Sequence, residues 1–229
     1  GTGAAILLGD LLIGWSDEML RTCGFDAGAV TRAMPYFDAM RTEVVAGQYL
    51  DLVAQSSGHT SVPQAMRVVR YKAAKYTVER PLHLGAALAG ADESLVTALT
   101  SYGLPLGEAF QLRDDVLGVI GDPEVTGKPA GDDLREGKRT VLMALAHERA
   151  DRDQRHTLDR LFGRKKLDDQ AVGQLRTAIE GSGALTAVEA LIEELTTAAT
   201  TALEHAPIAD ESVRTALLEL ASAATERQW

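Results

Sequence analysis

Apolar residues recur at intervals of three and four along most of the chain. Leu8, Leu11, Leu12 and Trp15 form one such series, and Val45, Tyr49 and Leu52 another. That spacing returns side chains to one face of a helix, whereas the alternation by two that a half-buried strand needs is scarce. The pattern predicts about eight helices, near residues 3–22, 27–56, 61–79, 81–89, 92–119, 139–162, 168–196 and 211–227. Pro35 is placed to bend or break the second helix, and Gly181–Gly183 to interrupt the seventh. Breaks fall at Gly24, at Ser56-Ser57-Gly58 and at Gly163, while Asp92 and Asp210 suit N-cap positions. The stretch from Gly121 to Gly137 has no helical period and is rich in glycine, proline and charge. Loops of that length are usually functional or disordered.

The fold class is therefore all-α, a large helical bundle in one domain spanning 1–229. In the opening helix, Ala4-Ala5-Ile6-Leu7-Leu8 and Leu11-Leu12-Ile13 leave almost no polar face. Such a helix is central or lies at a subunit interface; both are expected here, hence a homo-oligomer. Composition agrees: aromatic residues make up only 5% and hydrophobic residues 45% of 229, which excludes global disorder. The net charge of −10 argues against a general nucleic-acid partner, though a few local lysines can still receive a small anion. A single cysteine, Cys23, excludes an intramolecular disulfide, fits a reducing compartment and reads as a small core residue. No apolar run approaches the ~20 residues of a membrane span and no signal peptide is visible, so a cytoplasmic location is expected.

Candidate chemistry concentrates in the middle. Phe110-Gln111-Leu112-Arg113-Asp114-Asp115 puts two adjacent carboxylates on a mostly apolar helix, with Gln111 three and four residues before them on the same side. Their repulsion calls for lysines or a hard cation. Mg2+ is commonly held by one or two carboxylates together with substrate phosphates. The loop that follows carries two glycine–lysine steps, Gly127-Lys128 and Gly137-Lys138. Lysine is a mobile point charge suited to phosphate oxygens, and glycine beside it permits close backbone approach. This is not the phosphate-binding P-loop, whose spacing and preceding strand are absent. On earlier helices, Lys72 and Tyr76 share a face, as do Gln48 and Asp51. The five histidines do not cluster at ligand spacing, and Asp168-Asp169 reads as a helix start.

Together these residues resemble the trans-isoprenyl diphosphate synthases of the polyprenyl synthetase family, over roughly residues 1–145. Gly107-Glu108-Ala109-Phe110-Gln111 followed by Asp114-Asp115 is similar to that family's second aspartate-rich motif, and Gly137-Lys138-Arg139-Thr140 to the segment after it. Gly9-Asp10, Gly47-Gln48 with Asp51, and Lys72 with Tyr76 are similar to motifs on the preceding helices. The resemblance implies a bundle of the isoprenoid synthase type around a central apolar cavity, a homodimer through the opening helices and a cluster of Mg2+ ions. It implies condensation of isopentenyl diphosphate with an allylic prenyl diphosphate into an all-trans prenyl diphosphate, with the C20, geranylgeranyl-type product favoured. Carried over, Asp114 is a metal ligand and Asp115 a ligand or its supporting partner. Lys72, Lys128 and Lys138 hold the allylic diphosphate, and Gln48, Gln111 and Tyr76 line the reacting centre.

Three features depart from the family pattern. Gly118 stands where the motif has its third aspartate, and Ala73 where a threonine commonly follows the lysine. The first aspartate-rich motif and the isopentenyl diphosphate site belong upstream of Gly1. The expectation is a natural chain continuing upstream by on the order of 100 residues, bearing a second aspartate-rich helix that faces Asp114. A terpene cyclase on the same fold, or a non-catalytic partner of an active synthase, are the rival readings.

Overall fold

The computed structural model describes residues 1–58, 60–121, 131–164 and 166–226. Within them the chain is helical: α1 (Thr2–Arg21), α2 (Ala27–Ser57), α3 (Val62–Val68), a π-helical segment (Val69–Glu79), α4 (Arg80–Leu88), α5 (Glu93–Ile120), α6 (Asp132–Glu136), α7 (Val141–Arg149), α8 (Arg152–Leu161), α9 (Asp169–Gly181), α10 (Ala184–Glu204) and α11 (Glu211–Thr225). The boundaries follow local chemistry. Asp26, Asp92, Asp168 and Asp210 each accept a hydrogen bond from a backbone N–H of the first turn, satisfying donors the helix leaves free. Three features depart from the sequence pattern, the last two with simple causes. Helix α2 runs unbroken through Pro35. The predicted helix 139–162 is two helices, because Asp151 and Gln154 form a capping box that starts α8 afresh. The glycine-rich stretch contains the short helix α6, bounded by Gly131 and Gly137 at φ of 74° and 70°, where other residues would be strained.

Helix α5 is the axis of the molecule and packs chiefly against α10 on one side and the π segment on the other. Its Leu112, Val116 and Val119 meet Leu142, Leu158, Leu175, Ile179 and Ile192 in the main core. A smaller core gathers Tyr102, Leu106, Leu203 and Leu217. There the buried Tyr102 hydroxyl donates to the Leu217 carbonyl at 2.7 Å, and burial pushes the phenol up to about 12.

The π segment is gripped from two sides by glycines. A Cβ on Gly47 of α2 would stand 2.5 Å from the Tyr71 carbonyl carbon, and one on Gly107 of α5 would stand 2.6 Å from Ala74 Cα. No side chain fits either notch without parting the helices, so Gly47→Ala is expected to cost ~1–3 kcal/mol as overpacking does. It should also move Lys72, whose backbone lies against the same glycine. Urea unfolding of the variant checks this, and an unchanged midpoint would show that the close approach is not maintained.

Below this crossing lies a polar network. Lys75 bridges Glu43 (3.0 Å) and Glu79 (2.9 Å), and Arg80 makes two 2.7 Å hydrogen bonds to Glu43. Arg80 donates to Nδ1 of the buried His83, which leaves the proton on Nε2, facing Thr100 at 2.9 Å. Burial lowers the His83 pKa, Arg80 and Lys75 add to the effect, and Glu79 opposes it. The unfolded chain therefore binds this proton more readily than the native one. His83's contribution is present above its ordinary value of 6.5 and is lost as pH falls below it. Thermal midpoints of wild type and His83→Gln should diverge at neutral pH and converge toward pH 5; parallel curves would refute the assignment.

Helix α1 buries none of its residues. Ile6, Leu7, Leu8, Leu11, Leu12, Ile13 and Met19 stay exposed, and its side-chain tie to α2 is an Asp17–Arg41 pair at 2.6 Å. Among the described residues nothing encloses α1, whose apolar circumference allowed a central or an interface position. Cys23, expected in the core, lies exposed in the turn between α1 and α2.

Candidate active site

A cavity of about 90 Å3 opens between α2, the α3–π helix, α5 and the segment entering α7. Ala65, Val68, Val69 and Ala73 form its apolar wall; Asp51, Lys72, Gln111, Asp114, Asp115, Lys138, Arg139 and Thr140 supply its polar atoms. The polar groups come from four separate stretches of sequence: three are carried on helices and the fourth, Lys138 to Thr140, on the segment entering α7. Lys72 sits at the gripped turn of the π segment; π geometry inside longer helices is frequent at functional sites. Its Nζ pairs with Asp51 Oδ2 at 2.5 Å. Lys138 follows the left-handed Gly137, and Thr140 caps α7 by accepting from the Met143 N–H.

The two adjacent aspartates are not equivalent. Asp115 is buried, and its Oδ1 accepts a 2.9 Å hydrogen bond from Gln111 Nε2, as their four-residue spacing predicts. Burial pushes the Asp115 carboxyl up to about 7; the Gln111 bond works against this, and the charges of Asp133 and Asp114 add to it. Asp114 is half-buried, lines the cavity and has no hydrogen-bond or ion-pair partner among the described residues. Burial opposes the Lys138 charge, but the hydrogen bonds and fields of Asp133 and Glu136 outweigh it and raise that pKa. Asp133 is pushed upward, first by burial and then by Asp114 and Glu136, with Lys138 opposing. The ammonium gains from its two carboxylate neighbours, whereas burial is the first cause at both aspartates and the neighbouring carboxylates add to it. A hard cation beside Asp114 would offset the repulsion among Asp114, Asp115 and Asp133.

The structure thus brings together Lys72, Gln111, Asp114, Asp115 and Lys138. Gln48 and Tyr76 stand solvent-exposed and outside the cavity lining, on neighbouring turns of α2 and the π segment. Lys128 lies outside the described residues. Sequence reasoning gave no role to Arg139 or Thr140, whose signal was only their place after Gly137-Lys138. Nor did it foresee Arg113 facing away from the cavity, where it anchors the core by a double hydrogen bond to Glu189 (2.6 and 2.8 Å) and a 2.9 Å bond to the Thr225 carbonyl.

The donor set suits Mg2+, which takes oxygen ligands and retains several waters. Asp114 offers a free carboxylate at the cavity, with Asp115 beneath it. Among the described residues no three acidic, histidine or cysteine side chains converge on one point, so an ion here would depend on water and ligand oxygens for the rest of its shell.

The fold and site define an all-helical bundle whose central helix presents paired carboxylates beside two lysines at one cavity. Residues 1–179 match the family model described as polyprenyl synthetase. The chain belongs to the polyprenyl synthetase family. It is 35% identical over 188 residues to the geranylfarnesyl diphosphate synthase of Aeropyrum pernix, covering 81% of this chain and 58% of that protein. It is 28% identical over 230 residues to the geranylgeranyl diphosphate synthase of Saccharolobus solfataricus, covering 100% of this chain and 69% of that one. The crystal structure of geranylgeranyl pyrophosphate synthase from Corynebacterium glutamicum, complexed with isoprenyl diphosphate and magnesium, superposes with a TM-score of 0.95 at 44% identity. That match covers 99% of this chain and 64% of that one. The chain therefore spans about 58–64% of the length of two of these relatives.

Proposed function

We propose that this chain carries the allylic diphosphate side of the active site of a Mg2+-dependent trans-prenyltransferase. The activity is condensation of isopentenyl diphosphate with an allylic prenyl diphosphate to an all-trans product, C20 favoured. The carrying observation is the convergence of Lys72 from the π segment, Gln111 and Asp114 from α5, and Lys138 from the segment entering α7 on one cavity with an apolar wall. Residues 1–229 would form one all-helical part of that synthase domain.

Asp114 would hold Mg2+ directly, and Asp115, fixed by Gln111, would support it. Bound Mg2+ supplies Lewis-acid stabilisation of the leaving diphosphate. The remaining work falls to the chain's own groups. Lys72 and Lys138 bind and orient the diphosphate and neutralise charge as the carbon–oxygen bond breaks, with Lys128 in the same role. Val68, Val69 and Ala73 exclude water and nucleophiles from the electron-deficient allyl group, and the Gln111 amide sets the Asp115 carboxylate in place. Gln48 and Tyr76, on the open side, would reach the reacting centre from its rim. As carbon–carbon bond formation is completed, the proton lost from the isopentenyl unit goes to the departed diphosphate held by the lysines.

The exposed apolar side chains of α1, with Val45, Tyr49 and Leu52 of α2, support a homodimer through these helices. Among the described residues no helix is long and apolar enough to cross a membrane, and the lone cysteine fits a cytoplasmic location.

The test is diphosphate release by the full-length protein with Mg2+. Release that requires both substrates, with an elongated prenyl diphosphate as product, is expected. Release from the allylic substrate alone would make the protein a cyclase. No release with either would make it a non-catalytic partner subunit.

A further inference from the structure

Three residues of α2 spaced by four, Glu43, Gly47 and Asp51, meet the π segment in succession. Asp51 pairs with Lys72 Nζ at 2.5 Å, and Gly47 lies against the backbone of Tyr71 and Lys72. Glu43 lies outside the cavity lining, yet it is the most heavily bonded of the three. Its Oε1 faces Lys75 Nζ at 3.0 Å, and Arg80 donates to both carboxylate oxygens, each at 2.7 Å.

The two residues that share Glu43 are five apart, and the Arg80 N–H bonds to the Lys75 carbonyl, the five-residue step that defines a π turn. In an α-helix, residues five apart point about 140° away from each other. The wider π turn brings them close to one line along the helix. A single carboxylate that grips both side chains therefore favours π winding over α winding. Glu79 draws Lys75 into the same arrangement from its other side, at 2.9 Å. Beyond Arg80 the helix runs without a break into α4, which is held by the contact of His83 Nε2 with Thr100 at 2.9 Å and by Arg32 Nε donating to the Ala87 carbonyl at 3.2 Å. With α4 fixed, a return of the last π turn to α winding rotates everything before it, Lys72 included.

We propose that Glu43 is a positioning residue for Lys72. By gripping Lys75 and Arg80 together it maintains the π winding, and the winding sets the face on which Lys72 meets Asp51 and the cavity. The glycine notch at 47 gives the two helices room to approach but holds no side chain, and Asp51 holds Lys72 only once it has been aimed. The inference rests on the prenyltransferase reading for what Lys72 binds. It goes beyond that reading by placing control of the lysine outside the cavity, eight residues and about 12 Å along α2 from Asp51.

The experiment uses the full-length protein with Mg2+ and inorganic pyrophosphate as the probe, read by titration calorimetry alongside turnover. Glu43→Gln is expected to weaken pyrophosphate binding about tenfold, the scale of one charge-assisted hydrogen bond. Arg80→Lys keeps every charge and removes the double bond to Glu43, so it separates winding from electrostatics and is the milder change should Glu43→Gln not fold. A severalfold loss is expected there. Neither change should weaken binding further in a Lys72→Ala background, whereas both should keep their full effect in Lys138→Ala. The KM for the allylic substrate should rise more than that for isopentenyl diphosphate, a split that general loosening of the fold does not produce. Backbone hydrogen exchange should quicken over residues 72–80 more than in α5. Unchanged binding in the folded variants, equal losses with and without Lys72, or unchanged exchange over 72–80 would overturn the proposal. If the wild type neither binds pyrophosphate nor turns over, the prenyltransferase reading falls, and the exchange measurement then judges the winding on its own.

Discussion

Asp114→Asn should abolish most turnover while leaving the fold intact. The side chain is half-buried, lines the cavity and has no partner among the described residues, so no hydrogen bond or ion pair described here is lost. What disappears is the negative charge that would hold the cation against the leaving diphosphate. Removing a single pre-organised electrostatic group from an active site typically costs on the order of 10²–10³ in turnover, and a metal ligand at least that. The full-length variant should therefore show a fall of that size or more in kcat, an altered Mg2+ titration, and a circular-dichroism spectrum and melting midpoint like those of wild type. Wild-type turnover in Asp114→Asn would identify the pair as a solvated acidic face and remove the metal from this side of the cavity. Asp115→Asn offers a contrast. Burial already pushes that carboxyl up to about 7, so in the absence of metal the neutral amide should leave the fold as stable as before or more so.

Lys72→Ala should have the second-largest effect, on binding rather than on the fold. Its ammonium is the cavity's positive charge from the π segment and is paired with Asp51 at 2.5 Å. Loss of a charge-assisted hydrogen bond to diphosphate is worth roughly 1.5–3 kcal/mol, about tenfold to a hundredfold in affinity. The deletion also strips Asp51, the more buried partner, of its counter-charge, leaving a bare carboxylate facing the incoming anion. The KM for the allylic substrate and the Kd for pyrophosphate should both rise, and Asp51→Asn in the same protein should recover part of the loss. Unchanged constants in Lys72→Ala would take this lysine out of the site. No recovery in the double variant would show that Asp51 does not contribute.

Much of this protein was legible in its sequence because the relevant interactions are local. Periodicity by threes and fours is a property of single helices, so the all-α class and most helix positions followed from it. So did the caps at Asp92, Asp168 and Asp210, and the bond from Gln111 to Asp115 one turn along. The chemical character of the site was legible too: paired carboxylates and glycine–lysine steps are contiguous, and the family resemblance joined them to Lys72. Only the tertiary structure decided what depends on how helices cross. Gly47 and Gly107 belonged to family-like motifs, but why each is a glycine was seen only when the π segment was found wedged between them. The difference between Asp114 and Asp115, one facing the cavity and the other sealed beneath it, depends on what packs over α5. Arg113, in the middle of the motif, proved to serve α10 and α11. Sequence spacing fixes neighbours along one helix, whereas steric exclusion between separate helices is set only when the chain packs.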